Sequence, residues 1–143
     1  MSPARPSAAP HVTVVNGTDP FVVTIENHRG HHWLADEPLA AGGADKGPTP
    51  TELLLSSLGA CTAMTVRMYA SARGWALTGV DVTLEFNPDG APDGGGNDIR
   101  RRLALQGDLT RAQRERLLDV ANKCPIHRVL TGKIRIESAL VPP

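Results

Sequence analysis

Cys61 and Cys124 are the only cysteines in the sequence, and each stands in a segment with its own helix signals. Thiol chemistry needs a thiolate, which a nearby cation or a helix start can stabilise. Cys61 falls roughly two and a half turns into its helix, beyond the reach of the N-terminal dipole, so its reactivity requires a cation from elsewhere. Cys124 directly precedes Pro125 at the start of a short helix, with His127 and Arg128 beside it, so its acidity can be raised locally. On the residues alone either thiol could be the nucleophile. Two other chemistries use the same side chains. Cys124 and His127 have ligand-like spacing, and His31, His32 and Cys61 could complete a tetrahedral zinc set, although one short spacing without a second is a weak signal. Acyl transfer with His127 as base is the other, and it lacks a visible third orienting residue.

The elements that must place these thiols are marked by their punctuation. Val12 to Leu34 is rich in Val, Ile, Thr and Trp, and the turn clusters at Asn16–Pro20 and Asn27–Gly30 divide it into three short strands of a meander. Ala35 to Pro48 reads as a loop. Thr49, Pro50 and Glu52 then form a helix start: a threonine cap, proline in the first turn and a glutamate that closes a capping box. The helix predicted from there to about Arg73 has little continuous polar face, which predicts burial nearly all round, and Gly74 ends it. Val80, Val82, Leu84 and Phe86 alternate as one strand. Ile99, Arg101, Leu103 and Leu105 form the matching face of a second. The Gly- and Pro-rich stretch 87–97 between them reads as a mobile loop without a part in the chemistry. Asp108 to Lys123 is a second helix with a Thr110/Gln113 capping box, and Leu117, Val120, Ala121 and Cys124 share one stripe of it. Pro125 stops it and starts a short helix through Leu130. Lys133–Leu140 alternates as a closing strand. The order predicts an α+β fold with a mainly antiparallel sheet wrapped around a long buried helix.

With 41% hydrophobic residues, 143 residues suffice for one core without a metal or disulfide staple. Residues 1–10 read as a flexible N-terminal tail without the apolar run of a signal peptide, and residues 11–143 as a single domain. No membrane span is expected, which favours the cytoplasm, where paired thiols are usually catalytic, sensing or metal-bound. Fifteen basic and fifteen acidic residues cancel, and aromatics are 3%. That balance argues against a nucleic-acid partner, and the run Arg100–Arg102 reads as a solvated face.

The segments Gly47-x-Thr49-Pro50-x-Glu52-Leu53-Leu54-Leu55-x-x-Leu58-Gly59-Ala60-Cys61 and Lys123-Cys124-Pro125-Ile126-His127, with Ala35-Asp36-Glu37-Pro38 upstream, resemble the OsmC/Ohr family of organic hydroperoxide reductases, nearer its generic OsmC-like branch. The resemblance implies a cofactor-free, metal-free, two-cysteine peroxidase of oxidative-stress defence that works as an intertwined homodimer. It implies Cys61 as the peroxide-attacking thiol and Cys124 as the resolving one, with a lipoamide-type or other external dithiol as reductant and an organic hydroperoxide as substrate. It also implies an arginine–glutamate pair beside the thiol. Arg29, in the early strand–turn region, is the candidate arginine, with Arg67 a weaker one; Glu52 is the candidate carboxylate. The family's glutamate directly follows the proline, where this chain has Thr51. On a regular helix Glu52 lies about 180° around from Cys61, against about 80° for Thr51, so the capping box is the better account of Glu52. The rival reading from another class is a non-catalytic OsmC-like binder of a small hydrophobic ligand.

Overall fold

The computed structural model describes residues 9–143, so the expected tail lies outside the described residues except for Ala9 and Pro10. Along the chain run β1 (Val12–Asn16), β2 (Val23–Asn27), β3 (His32–Ala35), a single 3-10 turn (Leu39–Ala41), α1 (Pro50–Ala72), β4 (Ala76–Phe86), β5 (Ile99–Asp108), α2 (Arg111–Ala121) and α3 (Pro125–Thr131). The contacts group into two compact units, one up to Leu53 and one from Leu54.

The first unit is the antiparallel meander β1-β2-β3. β1 faces solvent along its whole length, while Ile25 in β2 and Ala35 in β3 are buried. The segment after β3 is pinned by Asp36, whose buried carboxylate accepts the backbone N–H groups of Glu37, Ala44 and Lys46. Those bonds, Lys46 foremost, outweigh its burial and hold the carboxyl below its ordinary pKa. The Asp36-Glu37-Pro38 run is thereby a loop anchor. The helix start is as the sequence predicts: Thr49 Oγ1 accepts the Glu52 N–H, and Glu52 Oε1 accepts the Thr49 N–H.

In the second unit β4 and β5 form an antiparallel pair. β4 begins four residues before the alternation that predicts it, because a bulge between Leu77 and Gly79 breaks the period there. Its partner Gly107 has a φ of 131°, and a Cβ there would run into the Ala76 carbonyl. The core gathers Val66 and Ala70 of α1, Leu77 of β4, and Leu117 and Ala121 of α2, with Leu103 and Leu105 of β5 against it. The Thr110/Gln113 box caps α2 and Cys124 caps α3.

Two expectations need correction. α1 is not buried all round: Leu58, Thr62, Val66 and Ala70 form a single buried stripe one turn apart, whereas Met64 and Met68 are about two-thirds exposed, at 65% and 71%. An all-apolar helix surface does not say which side its own chain will cover. By length and composition α1 is apolar enough to cross a membrane, but its stripe packs into the core of its own unit. The expected strand over Lys133–Leu140 is irregular and exposed, and among the described residues no strand pairs with it. Alternation supplies a strand face, and only a partner's backbone makes the strand.

Candidate functional site

α1 and α3 bring the two thiols together. Gly59, two residues before Cys61, takes the Leu84 methyl of β4 so closely that a Cβ there would sit 2.8 Å from it. This seats the Cys61 segment of α1 against the hairpin. Pro125 breaks the chain after α2, so Cys124 takes an extended conformation with ψ 151° and becomes the cap of α3. Its sulfur accepts the His127 N–H at 3.4 Å, and the Cys61 sulfur accepts the Ile126 N–H at 3.5 Å. Both cysteines are free; Cys61 is half-buried and Cys124 fully buried.

Within the second unit, Arg101 of β5 brings a cation beside the thiols. Nη1 donates to Thr62 Oγ1 at 3.0 Å, and Nη2 donates to Asn122 Oδ1 at 2.9 Å and to His127 Nδ1 at 3.0 Å. Because the guanidinium can only donate, His127 Nδ1 must accept, which places the neutral ring's proton on Nε2. Burial and then the Arg101 charge hold His127 below its ordinary pKa, so it is neutral near pH 7. All of these Arg101 partners are uncharged.

Thr62 links this cation to the buried thiol. Its hydroxyl donates to the Leu58 carbonyl at 2.7 Å, and its oxygen lies 3.8 Å from Cys124 Sγ. A hydroxyl has one proton, so Thr62 accepts from a Cys124 thiol while bonded to Leu58, and can turn to donate when Cys124 ionises. Burial pushes the Cys124 thiol up. Hydrogen bonds from the His127 N–H, Thr62 and the Cys61 thiol, with the charge of Arg101, outweigh it and leave the thiol below its ordinary pKa.

Beside this cluster opens a pocket of about 360 Å³ with Leu58, Ile99, Leu118 and Leu130 as apolar walls and Arg101, Asn122 and His127 as polar ones. Asn97 also lines it, so the last residue of the 87–97 loop reaches the site, against the expectation that this loop has no part in the chemistry. Arg67 donates to the Leu77 carbonyl at 2.7 Å. Arg29 and Glu52 belong to the first unit: the Arg29 N–H donates to Asn27 Oδ1 in the β2–β3 turn, and Glu52 sits in the α1 capping box, which holds its carboxyl below the ordinary range. Among the described residues no three His, Cys, Asp or Glu side chains group to hold a metal.

The model of the OsmC-like protein family matches residues 43–139, a span that takes in α1, both strands of the second unit and both cysteines. The chain belongs to the OsmC-like family. No curated protein sequence matches it. Its fold is that of solved OsmC-like structures. An OsmC-like protein from Mycoplasma pneumoniae aligns with a TM-score of 0.71 at 21% identity, over 88% of this chain and 89% of that one. An organic hydroperoxide resistance protein OsmC from Legionella pneumophila aligns at 0.66 and 20%, over 90% and 93%. The organic hydroperoxide resistance protein OhrB of Bacillus subtilis aligns at 0.58 and 21%, over 87% and 91%. Within this OsmC-like chain, Arg101, Thr62 and Asn122 are site residues that sequence reasoning missed.

Proposed function

We propose that the protein is a thiol-dependent peroxidase that reduces organic hydroperoxides through a Cys61/Cys124 thiol–disulfide cycle. The observation that carries this reading is the juxtaposition of the two thiols where α1 meets α3: half-buried Cys61 accepts the N–H of Ile126, two residues past the fully buried Cys124, beside a cation that uncharged groups hold in place. Cys61, the more accessible, attacks the peroxide oxygen: the O–O bond breaks, the alcohol leaves, and Cys61 becomes a sulfenic acid. Cys124, favoured as a thiolate, then attacks the sulfenic sulfur; the S–S bond forms as the S–O bond breaks, and the departing hydroxide takes up a proton and leaves as water. An external dithiol returns both thiols. The apolar pocket walls suit an alkyl group better than hydrogen peroxide. The relatives named for organic hydroperoxide resistance support the same reading.

The test is consumption of cumene hydroperoxide in the presence of dihydrolipoamide. Wild type is expected to turn over, and Cys61→Ser to lose at least about a hundredfold in rate, as removal of a nucleophile does. Unchanged consumption by Cys61→Ser sinks the reading, and no consumption by wild type with any dithiol favours a non-catalytic binder.

A further inference from the structure

We propose that the reductant enters the cycle at Cys61 and that Cys124 is the sulfur released as thiolate, an inference that rests on the disulfide cycle above. A thiol attacking a disulfide chooses between two sulfurs. Access and the stability of the departing thiolate decide the choice. Both point the same way here. Cys124 is 0% exposed, while Cys61 is half-buried and reachable. The reduced structure is also the product of the exchange, and in it the Cys124 sulfur has a preformed set of donors. The His127 N–H points to it at 3.4 Å, and the Thr62 hydroxyl, 3.8 Å away, can turn to it from Leu58. Arg101 polarises that hydroxyl through its 3.0 Å bond to Thr62 Oγ1. Among the described residues, Cys61 Sγ accepts only the Ile126 N–H, at 3.5 Å.

Electrons and protons balance. One thiolate of the dithiol attacks Cys61 Sγ; the Cys61–Cys124 bond breaks and its electron pair leaves on Cys124, giving a mixed disulfide on Cys61. The second thiol of the dithiol, on losing its proton, attacks its own chain's sulfur in that mixed disulfide and releases Cys61. The dithiol departs oxidised, and its two protons return to the two cysteines. Thr62 and Arg101 act as positioning residues in the first of these steps.

The experiment uses the full chain oxidised with diamide, so it does not depend on peroxidase activity. The oxidised protein is treated briefly with glutathione, a monothiol that cannot complete the second step, then acid-quenched and mapped by mass spectrometry. The glutathione adduct is expected on Cys61 in at least about tenfold excess over Cys124. Thr62→Val should slow adduct formation several-fold without moving its position, a split that mere loosening of the fold would not produce. An adduct mainly on Cys124, or an even mixture, overturns the inference while leaving the cycle intact. Failure of diamide to link Cys61 to Cys124 overturns the cycle and the inference together.

Discussion

Arg101 is the residue on which the site turns, and the sequence held a signal for it. Ile99, Arg101, Leu103 and Leu105 share one face of β5, and a charge in register with aliphatic residues has to be accounted for. Its neighbours Arg100 and Arg102 do lie on the solvated face, paired with Asp89 and Glu85. What could not be read is where that face leads, because the partners Thr62, Asn122 and His127 come from three other segments of the chain. Removing the cation should raise the Cys124 pKa. In Cys61→Ser background, Arg101→Gln is expected to shift the 240 nm thiolate titration to higher pH, with Arg101→Lys partly restoring it. The sign extends to stability: a thiol depressed in the folded state contributes stability that is full above the ordinary thiol pKa of about 8.5 and is lost as pH falls through the depressed value. The pH-dependent part of the stability difference between the two proteins should therefore grow on the alkaline side. A titration that does not move separates Arg101 from the thiol.

At the scale of elements, local chemistry made the sequence legible where it acted within a few residues. The Thr49/Glu52 and Thr110/Gln113 boxes, the Pro125 break and the β1-β2-β3 turns all stand where their residue types put them. The start of β4 was not legible, because the Leu77–Gly79 bulge removes the alternation that identifies a strand. That irregularity faces Gly107, whose backbone and close approach to Ala76 admit no side chain. Gly107→Ala is expected to destabilise the protein by about 1–3 kcal/mol or more, seen as a lower urea midpoint at unchanged slope. A stability within about 0.5 kcal/mol of wild type would mean that the hairpin end relaxes freely.

The whole molecule leaves apolar surface that its single chain does not cover. Met64 and Met68 of α1 are exposed, and Ile136 and Leu140 in the irregular C-terminal run are 87% and 98% exposed. The alternation of that run reads as a strand without an edge to join, and we propose that in a homodimer a second copy of the chain would supply that edge. Sedimentation at micromolar concentration should give twice the mass of one chain, and Met68→Glu with Ile136→Glu should move it toward the monomer; a monomeric wild type contradicts the proposal. A titration without reductant decides whether the two thiols form one redox pair. One equivalent of cumene hydroperoxide is expected to remove both free thiols and to leave a Cys61–Cys124 disulfide in the mass spectrum. Free thiols that persist through an excess of hydroperoxide would contradict that pairing.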